Sequence, residues 1–353
     1  MSTLMILAGG TGGHVYPAMA VADQLRQQGW RIVWLATEGG MENRLIAGKP
    51  YEIAVIRMRG IRGKGMLRKL AAPFQVLRAA TQSFMAMRRF RPDVVLGMGG
   101  YAAFPGGLVA WLTGRPLVIH EQNSIAGLSN RMLAKIADRV LAAFPSAFGE
   151  RATLVGNPVR AEIAAVAEPA LRFEGRTGPL RLLVVGGSLG AQVLNETVPQ
   201  ALALLPESAR PEVVHQAGEK HIGELEASYR HAGVRAQTRA FIDDMAAMYG
   251  WADVVICRAG ALTIAELAAA GAASVLVPYP HAVDDHQTGN ARYLSGNGAA
   301  LLIRQEVLTA QGLAQAVGTM SRSSLLEMAR RARALGRPQA TADVAAVCME
   351  LAA

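Results

Sequence analysis

Cysteine is scarce in this chain: Cys257 and Cys348 are its only two. With an amino-terminal stretch that enters a strand and loop without a basic n-region or cleavage site, that scarcity points to a reducing, cytoplasmic setting. Ser- or Gln-rich tracts are missing, which excludes a largely disordered chain. No run is a convincing membrane span. The most apolar long stretch, 259–278, carries Glu266 at its middle and Gly271 beyond it, and is expected to be helix, turn and buried strand. No Walker G-x-x-x-x-G-K-[ST] and no G-x-G-x-x-G occurs, which disfavours a P-loop kinase and a nicotinamide enzyme. Nor does an Asp-x-Asp pair stand at a strand end, so neither a metal site nor another cofactor is expected; Asp284-Asp285 reads as a loop face.

What is present suits a globular enzyme. Hydrophobic residues make up 51% of the 353 and charged ones 18%, enough to bury cores along the whole length. That length exceeds one average core and fits two. Lys and Arg outnumber Asp and Glu by 36 to 27, a net +9 that suits nucleic acid, an anionic membrane face or a phosphorylated substrate.

Short β-branched runs alternate with helical patterns, which predicts an α/β chain with parallel sheets. Strands are expected at 4–8, 31–36, 52–56, 94–97, 117–119 and 139–142, then in a second series at 182–185, 212–215, 236–240, 254–257, 274–277 and 300–303. Between the series, 156–179 is rich in Gly, Pro and charge and weak in periodicity, as a hinge region would be. The expected domains are 1–158 and 159–337, with a last helix within 338–353 packing back on the first.

Three strand ends run into glycines ahead of a helix: Gly9-Gly10-Thr11-Gly12-Gly13-His14, Gly97-Met98-Gly99-Gly100-Tyr101 and Gly186-Gly187-Ser188-Leu189-Gly190. Glycine admits close approach of a ligand to the backbone, and a helix start offers free N–H groups to an anion such as a diphosphate. A single such turn is ordinary in this fold class; three together are harder to dismiss.

In open α/β sheets ligands bind beyond the carboxyl ends of the strands. The polar residues there are Thr11, His14, Tyr101, His120-Glu121-Gln122-Asn123, Ser188, Arg258, Glu266, His281, Gln287 and Asn290. A neutral imidazole at His14 is placed to take a proton from a hydroxyl, or else only caps the helix start. Glu266 is placed to accept from a ribose diol, or else only answers the helix dipole.

With these segments in hand, and adding Asp93–Gly97, Gly156-Asn157-Pro158-Val159-Arg160, Phe241-Ile242-Asp243-Asp244-Met245 and Arg258-Ala259-Gly260-Ala261-Leu262-Thr263, the whole chain resembles the MurG family. These bacterial transferases add N-acetylglucosamine to the lipid-linked muramyl-pentapeptide precursor of peptidoglycan. The resemblance implies two Rossmann-like doubly wound domains in the glycosyltransferase type B (GT-B) arrangement, acceptor on the first and UDP-N-acetylglucosamine on the second. It further implies that Ser188 and its turn hold the diphosphate, Ile242 the uracil through its backbone, Glu266 in the segment Ala261-Leu262-Thr263-Ile264-Ala265-Glu266 the ribose, and Gln287 with Asn290 the sugar. Thr11, Gly12, Gly13, Asn123 and Arg160 complete the substrate site.

Family members invert the anomeric centre. One direct displacement then needs a base, for which His14 is the first candidate and Glu121 or Tyr101 the next. The acceptor hangs from an isoprenoid, so a peripheral position on the cytoplasmic leaflet of the inner membrane is expected. Arg57, Arg59, Arg62, Lys64, Arg68 and Lys69, with Phe74, Leu77 and Phe84, supply a basic and apolar face that Trp111 and Lys135 extend. Few aromatics interleave with these charges, so nucleic acid is not expected as a partner. A UDP-N-acetylglucosamine 2-epimerase is the competing enzyme, and a sugar-binding transport protein the non-catalytic alternative.

Overall fold

The computed structural model describes residues 1–58, 66–187 and 190–352, with side chains except over 66–72. Two units emerge: Met1–Val159 with Pro338–Ala353, and Arg160–Arg337.

Among the described residues the first unit is built on seven parallel strands, β1 Thr3–Ala8, β2 Arg31–Thr37, β3 Glu52–Ile56, β4 Val94–Gly99, β5 Leu117–Glu121, β6 Arg139–Ala142 and β7 Thr153–Leu154, ordered β3-β2-β1-β4-β5-β6-β7. Period-2 alternation divides its core. Leu4, Ile6 and Trp34 pack with Val15, Val21 and Leu25 of helix Gly12–Gln27 and with Val344, Ala345 and Cys348 of helix Ala340–Ala352. Met5, Leu7, Val33 and Leu35 pack on the other face with Met87, Val109 and Leu133. The last helix thus belongs to the first unit.

The second unit repeats the plan with, among the described residues, six parallel strands, β8 Arg181–Val185, β9 Glu212–Gln216, β10 Gln237–Arg239, β11 Val254–Cys257, β12 Ser274–Leu276 and β13 Ala300–Leu302, ordered β10-β9-β8-β11-β12-β13. Both orders are doubly wound, reversing direction next to the first strand of each unit. Ligands collect at such a switch point, beyond the carboxyl ends of β1 and β4 or of β8 and β11. In the first unit the register also slips there, Leu7 facing Gly97 while Ala8 faces Gly99.

Three local expectations change. Strand β7 is new, because two residues at a sheet edge leave no periodic trace. The hinge-like stretch is ordered into helices Ala161–Ala164 and Pro169–Phe173, too short to be read from apolar spacing. The helix after the third glycine turn begins at Gln192, not near Gly190.

Candidate active site

In the first unit, the turn after β1 leads into helix Gly12–Gln27, where Thr11 occupies the N-cap without a side-chain capping bond. Gly12 and Gly13 put their N–H groups in the first turn, whose donors have no intrahelical partner. His14 follows, and it does not cap. Its Nδ1 lies 2.8 Å from Oε1 of Gln122. Gln122 Nε2 in turn lies 3.3 Å from both Nδ1 and the backbone oxygen of His120, and His120 Nε2 lies 2.8 Å from the Gly156 carbonyl. Burial, only partly offset by that carbonyl, lowers His120 to about 4, so this imidazole is neutral at working pH.

Glu121, a candidate base by position, has a different occupation. Its Oε1 accepts from the backbone and side-chain nitrogens of Asn123 at 3.0 and 3.2 Å. Its Oε2 accepts from Gly127 N at 3.0 Å and Asn130 Nδ2 at 2.9 Å. A buried carboxylate holding four donors shapes the loop that carries Asn123 and is poorly placed to take a proton. Tyr101 stands in the turn after β4 with 49% of its surface exposed.

Sequence reasoning missed Glu42. Fully buried, it accepts from Gly10 N at 3.1 Å and from the Thr37 backbone and hydroxyl at 2.8 and 2.6 Å, so it ties the first glycine turn to the end of β2. Its position just past the Gly39-Gly40 turn was the available signal.

In the second unit, Gly190 has φ +77°, and a Cβ there would collide with the Ala217 carbonyl, which is why the turn before helix Gln192–Ala203 needs glycine. Ser188 lies outside the described residues. Gln216, at the end of β9, was also missed. Its Nε2 donates to the carbonyls of Gly187 and Ala240, each at 3.1 Å, so one amide joins the glycine turn to the loop that leads into Ile242. Ile242 buries its side chain, so its backbone is what it can offer a ligand.

Glu266 sits in the second turn of helix Ala261–Ala270, too far from its start to serve only the dipole. One oxygen is 3.3 Å from Arg160 Nη2 and the other accepts from the Tyr249 hydroxyl at 3.1 Å. Burial raises its pKa, while Arg160 and Tyr249 oppose that rise. Of its neighbours in the helix, Ala261 is buried, while Leu262, Thr263 and Ala265 are half-buried. The Ile264 side chain is in the core and its N–H bonds the Gly260 carbonyl at 2.9 Å.

Gln287 Oε1 accepts from Ala259 N at 3.3 Å and Tyr279 N at 2.9 Å, which leaves its amide nitrogen as the end to offer a sugar. Asn290 is wholly buried and donates to the Ala259 carbonyl at 3.2 Å. Through that bond it supports the turn after β11 from behind. Asp284 and Asp285 lie in an exposed turn, Asp285 accepting from the Thr288 hydroxyl at 2.7 Å.

Two doubly wound units with anion-ready turns at their switch points define a glycosyltransferase of the GT-B type. The glycosyltransferase family 28 N-terminal domain matches residues 4–142, and the family 28 C-terminal domain matches 181–344. The chain belongs to the MurG family of these enzymes. It is 59% identical over 350 residues, 99% of each chain, to the UDP-N-acetylglucosamine–N-acetylmuramyl-(pentapeptide) pyrophosphoryl-undecaprenol N-acetylglucosamine transferase of Dechloromonas aromatica. The relative of the same name from Aromatoleum aromaticum is 59% identical over 353 residues, covering 100% of this chain and 99% of that one. The crystal structure of Acinetobacter baumannii MurG is similar with a TM-score of 0.89 at 44% identity, covering 99% of this chain and 100% of that one.

Proposed function

We propose that this chain is an inverting hexosyltransferase that moves N-acetylglucosamine from UDP-N-acetylglucosamine to the 4-hydroxyl of undecaprenyl-pyrophosphoryl-N-acetylmuramyl-pentapeptide, the step from lipid I to lipid II in peptidoglycan synthesis. The observation that carries the chemistry is the His14 ring, held through Nδ1 at the switch point of the first unit, with the glycine turn and Glu266 at that of the second. In this reading the first unit receives the acceptor and the second the nucleotide sugar.

Glu266 accepts from the ribose diol, the Ile242 backbone meets the uracil, and Gln287 donates to the sugar. The turn at 186–190, Ser188 included, takes the diphosphate with the N–H groups at the start of helix Gln192–Ala203. As the acceptor oxygen bonds to the anomeric carbon, its proton passes to His14 Nε2. The bond from that carbon to the diphosphate oxygen breaks, and UDP leaves with the electron pair, its charge met by backbone donors.

Attachment to an anionic membrane surface belongs to the same proposal. Phe74 and Leu77 of helix Met66–Phe90 are exposed, as are Trp111 and Leu112 of helix Ala103–Leu112, which packs against it. Among the described residues no helix is long and apolar enough to cross a membrane. Arg59, Arg62 and Lys64 lie outside the described residues, as do the side chains of Arg68 and Lys69.

The deciding assay incubates the protein with UDP-N-acetylglucosamine, with and without lipid acceptor. Glycosylated lipid and UDP are expected only when both are present. Formation of a 2-epimer without acceptor, or no turnover with it, would overturn the reading.

A further inference from the structure

We propose that Gln122, oriented by His120, dictates which ring nitrogen of His14 carries the proton, and so acts as a positioning residue for the transfer. The inference rests on His14 being the base. The argument runs from the buried end. The Gly156 carbonyl can only accept, so His120 Nε2, 2.8 Å away, carries hydrogen. A neutral imidazole then has a lone pair at Nδ1, and the group facing it at 3.3 Å must donate. Only the amide nitrogen of Gln122 does so, and the same nitrogen also faces the His120 carbonyl at 3.3 Å.

Two acceptors thus fix one end of the Gln122 amide, and its oxygen is turned to His14 Nδ1 at 2.8 Å. That oxygen can only accept, so His14 holds its proton on Nδ1 and leaves Nε2 basic. Reversing the amide would set its oxygen against two acceptors, both away from water, so the orientation is locked. His120 and Gln122 are both buried. The titratable groups beside His120 are Glu121 and His14, and Glu121 is held by its own four donors.

Gly99 fixes the ring's place. It has φ +99°, and a Cβ there would come within 2.9 Å of His14 Nδ1 and Cε1, so the imidazole rests on bare backbone. When Nε2 takes the acceptor's proton, the Nδ1–H bond to Gln122 becomes charge-assisted, which favours the imidazolium as it forms.

The first test uses the unmodified full chain with 15N-labelled histidine. Long-range proton–nitrogen correlation, assigned by the loss of signals in His14→Ala, should show Nδ1 protonated and Nε2 bare at neutral to mildly basic pH. An Nε2–H tautomer overturns the proposal, whatever the variants do. The second test is Gln122→Glu, which puts a negative charge against Nδ1 and removes the donor that faces His120. The acidic limb of kcat/KM should move up by about 1 pH unit or more, with KM for UDP-N-acetylglucosamine unchanged. Gln122→Met, which frees the ring, should lower kcat by at least ~10-fold, again without a change in that KM. An unmoved limb in a folded Gln122→Glu protein would count against the lock. Failure of the base reading appears separately, as full activity in His14→Ala with the Nδ1–H tautomer intact in the unmodified chain.

Discussion

The Arg160 guanidinium lies 3.3 Å from Glu266, whose other oxygen holds the Tyr249 hydroxyl, so the carboxylate assigned to the ribose is already paired and aimed before any ligand arrives. Glu266→Ala should cost ~1.5 to 3 kcal/mol of UDP affinity, since two hydroxyls lose a charged acceptor. Calorimetric titration with UDP checks this, and unchanged affinity would remove Glu266 from the site.

The pH dependence of that binding follows from the raised pKa of Glu266. The charged form accepts from the diol, so affinity should rise with pH. It should weaken on acidification while the pH is still above the usual glutamate range. Glu266→Gln should bind more weakly at neutral pH and lose this acid sensitivity, which titrations at several pH values would reveal.

His14→Ala should lower kcat by roughly 10² to 10⁴ while leaving UDP affinity nearly intact, because the donor is assigned to the other unit. Steady-state kinetics with parallel UDP titrations separate the two effects. A kcat near the unmodified value ends the base assignment.

Acid should destabilise the fold through two buried histidines. His120 is lowered to about 4 and His215 to about 3, in both cases by burial. Their unfolded forms titrate near 6.5, so between these limits the unfolded chain binds more protons and stability falls as pH drops. Once pH is below the folded value, the loss is on the order of 3 kcal/mol for His120 and 5 kcal/mol for His215. Urea midpoints measured from pH 7 to 4 should decline, and the decline should be shallower in His215→Asn.

Reversing Arg68 and Lys69 to Glu should reduce sedimentation with anionic vesicles and spare activity on a short-chain soluble acceptor. Undiminished sedimentation would move the attachment face elsewhere.

How much of this was legible depended on the range of the interaction. Twelve strands were readable because apolar β-branched runs mark buried parallel strands, and the glycine turns declared themselves by composition. Positions such as His14 and Glu266 could be singled out because strand ends are where this fold class binds ligands. Their partners were not readable. Gln122 reaches His14 across 108 residues, and only the adjacency of β1, β4 and β5 brings them together. The same holds for Gln216, whose amide serves two loops from a third strand. The burial of Asn290 and Ile264 was equally illegible, since both stand beside exposed or half-exposed positions along the chain.

Helix Ala340–Ala352 completes the first unit with residues translated after the whole of the second. A nascent chain that has already made all seven strands of the first sheet still leaves Val15, Val21 and Leu25 without Val344, Ala345 and Cys348 to pack against. The second unit is contiguous and can close as soon as it clears the ribosome. The unit begun first in the sequence is therefore the one whose core is completed last.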